Sequence, residues 1–195
     1  MKCFAVVFAL ALLTGASLGG TAHAENLTDM VKQAESDAAA GKHLEAYDGM
    51  RKATQQLWDG SPLLFRKALF VTGSPAGFGI YDPRPDSVFK SGEKLIIYVE
   101  PVGFKWEAKG GLNHALLTAD LSLRDAEDNI VAEQQGFGTF TFDSREQNME
   151  IMTALTIDFT EAPPGKYTAE FKFTDGVGDK SATVRLPFEI KEEDQ

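Results

Sequence analysis

The sequence predicts an α+β fold: an N-terminal antiparallel helical hairpin followed by a seven- or eight-stranded antiparallel β-sandwich. Three observations predict it. Apolar residues recur with a helical period from residue 25 to about residue 60. From Leu63 onward the apolar period is two, the period of a strand with one buried face. No helical stretch interrupts that second region, and Gly-, Pro- and Asp-rich turns divide it. The expected organisation is a leader over residues 1–24, a helical hairpin over 25–62 and a sandwich over 63–195.

The leader carries the strongest local pattern. Met1-Lys2 is a short basic start, Phe4 to Leu13 is a ten-residue apolar run, and Ala22-His23-Ala24 has the small-x-small form of a cleavage site. The run is too short to span a bilayer, which takes about 20 apolar residues. The pattern predicts a secretory signal peptide cleaved after Ala24. The single cysteine, Cys3, lies ahead of the apolar run, where it cannot take lipid. The expected product is exported, periplasmic in a source with two membranes and secreted otherwise, with no membrane span once the leader is gone.

The first helix is drawn from Leu27, Met30, Val31, Ala34 and Ala38, one face of a 3.6-residue helix, with Asn26 as N-cap, Asp29 in the first turn and Gly41 as C-terminal stop. The second is drawn from Leu44, Tyr47, Met50, Thr54, Leu57 and Trp58, and Gly60-Ser61-Pro62 ends it. The short link makes the pair antiparallel. Four strands alternate clearly: Leu117 to Leu123, Ile151 to Phe159, Tyr167 to Phe173 and Ala182 to Ile190. Leu95 to Val99 is apolar throughout and reads as a central strand covered on both sides. Phe65 to Val71 and Phe137 to Phe142 complete the set. Pro187 suits a strand edge or a bulge.

Charge narrows the function. The chain has 19 Lys+Arg against 29 Asp+Glu, a net charge of −10. Without the leader the balance is 18 against 29, or −11. No basic excess exists to neutralise phosphates or to hold anionic lipid, so no nucleic-acid partner is expected. One cysteine excludes a disulfide framework and a Cys-based zinc site. His43 and His114 lack metal-ligand spacing, no G-x-S-x-G elbow or P-loop occurs, and Gly77-Phe78-Gly79 lacks the βαβ context of a dinucleotide site. No catalytic residue and no cofactor are assigned. The acidic turns Asp125, Glu127, Asp128 and Asp175, Asp179 are the candidates for calcium, although turn preference alone also accounts for them.

Residues 73–106 gather the candidate binding residues Phe78, Tyr81, Arg84, Phe104 and Trp106. Tyr, Trp and Arg are enriched at binding hot spots, and loops at the end of a sandwich carry function. The competing account is that these rings cover the open end of the sandwich or contact the hairpin. The expected role is a non-enzymatic binding or interaction protein of the cell envelope, for a protein, peptide or glycan. Two alternatives stand beside it. One is a carbohydrate-active hydrolase using acids near the aromatic stretch: Asp82, Glu100 and Glu107. The other is a structural subunit that docks through its hairpin.

Three resemblances add to this reading. Ala40-Gly41-Lys42-His43-Leu44-Glu45-Ala46-Tyr47, with Ala53 seven residues after Ala46, resembles the middle of a tetratricopeptide repeat, over one repeat length of about 34 residues. There the Gly turns between helices and the two small residues let them approach closely. A single copy implies a hairpin that packs on the rest of the chain or on a partner. Pro164-Gly165-Lys166-Tyr167-Thr168-Ala169-Glu170-Phe171 resembles the penultimate strand of immunoglobulin-like and fibronectin-like domains. That resemblance implies a tyrosine corner at Tyr167, with Ala169 where antibody domains have a cysteine. Gly77 to Asp86, with Phe89 to Glu93 and Ile97 to Glu100, is similar to segments of exported bacterial proteins with no established activity.

Overall fold

The computed structural model describes residues 26–158 and 162–192. The leader and its cleavage site lie outside the described residues, as does Phe159.

Helix α1 spans Leu27–Ala39 and α2 spans His43–Gly60. The Asn26 side chain accepts the Thr28 N–H at 3.1 Å and so caps α1. Gly41 ends α1 at φ +76°, a left-handed conformation that favours glycine. The helices meet through small residues. Ala34, Ala46 and Ala53 are buried, and a Cβ on Gly49 would lie 3.3 Å from Ala34 Cβ. The stripe on α2 behaves differently from its period. Trp58 is buried, but Leu44, Tyr47, Met50 and Leu57 are exposed.

Among the described residues nine strands follow: β1 (Leu64–Val71), β2 (Val88–Lys90), β3 (Leu95–Val102), β4 (Glu107–Lys109), β5 (Leu112–Arg124), β6 (Ile130–Ser144), β7 (Thr153–Ile157), β8 (Gly165–Asp175) and β9 (Ser181–Lys191). They form a three-stranded antiparallel sheet, β1-β3-β7, and a six-stranded sheet in which β2, β9, β8 and β5 are successive neighbours. Strand β4 pairs with the start of β5, and β6 pairs with β5 along most of its length. The expectation of a wholly antiparallel fold fails at β2, which runs parallel to β9. No hairpin turn sets its direction: residues 72–87 carry the chain across from β1 in the other sheet, and Glu189 N–H bonds Ser87 O on arrival. Pro187 sits just before this pairing, where the outer edge of β9 is open.

The alternation read from the sequence sets the inward faces. Leu117, Ala119, Leu121 and Leu123 of β5 are buried, with Ala169, Phe171 and Phe173 of β8 and Leu155 and Ile157 of β7. A single hydrophobic cluster draws on both sheets and on Trp58 and Leu63. Each fully buried Leu or Phe contributes about 1.5–3 kcal/mol. Strand β3 is covered on both sides, as its unbroken apolar run predicts. Leu95, Ile97 and Val99 enter the core, while Tyr98 and Glu100 are buried on the opposite face by residues 72–87.

The hairpin is seated on the sheets at one end. Trp58 meets Phe104 edge-on at 5.0 Å, and its indole N–H donates to Phe104 O at 2.7 Å. The Lys180 ammonium, in the β8–β9 turn, donates to Ser61 O at 2.7 Å and Gly103 O at 2.6 Å. No helix among the described residues is long and apolar enough to cross a membrane.

Candidate functional site

The open side of the two sheets lies between the edges of β6 and β7, each of which has one strand neighbour among the described residues. The two strands touch where a side chain is missing. A Cβ on Gly138 would lie 2.9 Å from Leu155 Cδ2 and 2.9 Å from the Phe140 ring, so Leu155 of β7 rests directly on the β6 backbone. A bulge then interrupts the β5–β6 ladder between Ala119 and Leu121, where Gly136 N–H donates to Asp120 Oδ1 at 2.7 Å. On the far side of the bulge, residues 130–136 of β6 are exposed on both faces.

A groove of about 670 Å³ occupies the space this leaves. Leu121, Leu123 and Ile157 form its floor, Phe137 and Val131 one wall, and Tyr167 another. Leu121, Leu123 and Ile157 are inward-facing residues at the margin of the core, still 4–8% exposed. The Tyr167 hydroxyl donates to Pro163 O at 2.8 Å, and its ring stacks on Phe188 at 5.6 Å. Pockets that hold apolar ligands have this size and composition.

The rim is acidic. Asp125, Glu133 and Asp158 line the groove, and among the described residues no Lys, Arg or His does. Asp125 accepts the backbone N–H groups of Glu127 at 3.0 Å and Asn129 at 2.8 Å. The Asn129 side chain, with those N–H groups, holds its carboxyl below the usual carboxylate range against slight burial. Glu133 accepts the Ser122 hydroxyl at 3.2 Å, and Asp158 pairs with Lys94 at 3.5 Å.

The five residues singled out from the sequence are divided among three places. Phe78 and Tyr81 pin residues 72–87 onto the outer face of β1 and β3: the Arg66 guanidinium lies 4.9 Å over the Phe78 ring, and Tyr81 packs on Tyr98 at 4.2 Å. Arg84 donates to Glu93 Oε1 at 2.6 Å and to Val88 O at 2.7 Å, and covers the Phe89 ring. Burial pushes the Glu93 carboxyl up, but the Lys90 N–H and Arg84 together hold it below the usual range. Phe104 and Trp106 are buried, with Phe104 against Trp58 of the hairpin. Aromatic area draws such rings into a core, and here the hairpin contact weighed in the sequence is the one observed.

The acids considered for hydrolysis do not converge either. Glu100 is buried on the outer face of β3 and accepts the Tyr98 hydroxyl at 2.7 Å and Arg66 Nε at 2.6 Å. Glu107 is exposed on β4, and Asp82 uses its backbone carbonyl to receive the Thr72 N–H. Burial pushes the Tyr98 phenol up to about 12, with the Glu100 carboxylate adding to it against the Gly79 N–H. A folded-state value above the unfolded 10 means that neutral Tyr98 stabilises the fold fully below pH 10, and that this contribution fades as pH rises through 12. Tyrosinate absorbance is expected to show one phenol titrating near pH 12 that Tyr98→Phe removes. A titration unchanged by that substitution contradicts the buried network.

Asp125, Asp128 and Asp175 of the calcium candidates are engaged with protein groups. Asp175 is fully buried and accepts the N–H groups of Lys105, Val177 and Gly178 at 2.8–3.0 Å. Asp128 pairs with Arg185 and Arg124. Glu127 is exposed in its turn, and Asp179 adopts φ +54° in the next. His114 bonds Asp143 at 2.8 Å, and His43 opens α2. No group of three or more His, Cys, Asp or Glu is placed to hold a metal among the described residues.

No family model matches the chain, and no curated protein does. Among solved structures it is similar to CopC from Methylosinus trichosporium OB3b, at 15% identity and a TM-score of 0.33, over 66% of this chain and 98% of that one. It is also similar to a family 123 glycoside hydrolase from Clostridium perfringens, at 13% identity and a TM-score of 0.38, over 68% of this chain and 28% of that one. A third likeness is to the sporulation control protein Spo0M from Bacillus subtilis, at 10% identity and a TM-score of 0.35, over 68% of this chain and 51% of that one. Likenesses this distant carry no inference about activity.

Proposed function

We propose that the chain is an exported, envelope-associated binding protein without enzymatic activity of its own, and that its ligand lies in the groove between β6 and β7. The observation that carries the reading is the groove itself: an apolar floor continuous with the core, opening between two unpaired strand edges. Export rests on the leader pattern of residues 1–24. The scaffold is an immunoglobulin-like sandwich in this account. Two sheets sharing one core support that, as does the Tyr167–Pro163 hydrogen bond, which has the form of a tyrosine corner.

A neutral apolar dye such as N-phenyl-1-naphthylamine tests the site. Dye fluorescence is expected to rise on binding, and Val131→Glu is expected to weaken binding at least tenfold, because it sets a charge in the wall. Val131 is 51% exposed, so the substitution leaves the core intact. A second reading, docking of the hairpin on a larger assembly, rests on the exposed Leu44, Tyr47, Met50 and Leu57 of α2. Dye binding lost in Leu57→Glu and kept in Val131→Glu favours that second reading and contradicts the groove.

A further inference from the structure

We infer that the occupant of the groove is an extended peptide segment of alternating apolar and basic residues, which adds a strand to the free edge of β6. The inference rests on the groove being the binding site, and specifies what enters it.

Strand edges are ordinarily protected against new partners by Lys, by Pro, by brevity or by a covering segment. The other edges of this fold follow that rule. The outer edge of β9 carries Arg185 and Pro187 ahead of β2, β1 carries Arg66 and Lys67, and β2, β4 and β7 have three to five residues each. Strand β6 does not follow it. Residues 130–136 read Ile-Val-Ala-Glu-Gln-Gln-Gly, with no Lys, Arg or Pro. They pair with β5 on one side only and are exposed on both faces, and Ile130 and Val131 are about half exposed. An unpaired row of backbone N–H and C=O groups thus borders an apolar groove, the arrangement that strand addition uses.

Geometry and charge set the peptide's pattern. At about 3.4 Å per residue, the seven exposed residues of β6 accept a segment of six or seven. Alternate side chains of an added strand point to one face, so every second residue lies over Leu121, Leu123 and Ile157. The intervening side chains point to the other face, where Glu133 lies with Ser122, while Asp125 and Asp158 line the groove with no base beside them among the described residues, which selects Lys or Arg at the intervening positions and disfavours acids.

The test uses the whole protein and an acetylated, amidated Val-Lys-Val-Lys-Val-Lys peptide, with its Val-Glu counterpart and two forms N-methylated at alternate residues. The Val-Lys peptide is expected to bind at least tenfold more tightly than the Val-Glu peptide and to weaken as salt rises from about 0.05 M to 0.5 M. On binding, the outward amides of residues 130–135 are expected to gain hydrogen-exchange protection. One N-methylated register is expected to abolish binding and the other to retain it. Equal binding of both registers, or of the Val-Glu peptide, overturns the inference. So does a dimer formed through β6 in sedimentation equilibrium. Dye bound in the groove with no peptide binding overturns the inference and leaves the binding-site reading standing. Failure of both overturns both.

Discussion

Replacing Trp58 with alanine is expected to destabilise the protein by about 3–5 kcal/mol, the range for removing a large buried aromatic. The side chain is 5% exposed, and three separate losses fall on it. Its edge-on contact with Phe104 disappears, its area returns to water, and Phe104 O loses the 2.7 Å indole N–H. A domain of this size has about 5–15 kcal/mol in total, so the change removes a large share. Urea unfolding followed by circular dichroism measures it. A loss under about 1 kcal/mol contradicts the reading that Trp58 seats the hairpin.

Gly103→Ala is expected to cost about 3 kcal/mol or more, through two causes that can be separated. Gly103 has φ +83°, a region that costs a non-glycine residue about 1–2 kcal/mol. A Cβ there would also lie 2.2 Å from Pro62 O, a backbone atom in the link between α2 and β1. Relieving that contact moves the link away from Lys180, whose ammonium donates to Ser61 O and Gly103 O. Gly110→Ala isolates the first cause, since Gly110 has φ +60° and a Cβ there meets nothing within 4 Å. Differential unfolding of the two variants is expected to show Gly103→Ala losing at least twice as much. Equal losses contradict the close approach of the two segments.

Period alone made much of the fold legible. Inward faces of β5, β7 and β8 follow the alternation, and Ala46, Ala53 and Gly41 act in the hairpin as the repeat-like pattern implies. Three things were not legible, each for a physical reason. The first half of β6 has no alternation because neither face is buried, so the pattern marks the strand only from Phe137. Strand β2 gains its place from a parallel neighbour 101 residues away, a pairing that no local pattern encodes. The aromatic stretch 78–106 signals burial and binding with the same residues. Phe104 resolves toward burial between Trp58 of the hairpin and Phe142 of β6, with Trp106 packed against it.

The groove was hidden for a related reason. Its floor residues Leu121, Leu123 and Ile157 look like any other inward positions of their strands, and the edges part above them only beyond the Gly138–Leu155 contact, at the Gly136 bulge. The sequence signal that does point there is Ile130-Val131, an apolar pair at the head of a polar run.

The most direct test of the groove is a methyl-resolved NMR titration of the protein with the neutral apolar dye, with Ile, Leu and Val methyls labelled. Saturable shifts are expected at Leu121, Leu123, Val131 and Ile157, with Leu44, Leu57 and Leu64 unmoved. Shifts confined to Leu44, Leu57 and Leu64, or spread evenly over all exposed methyls, would contradict it.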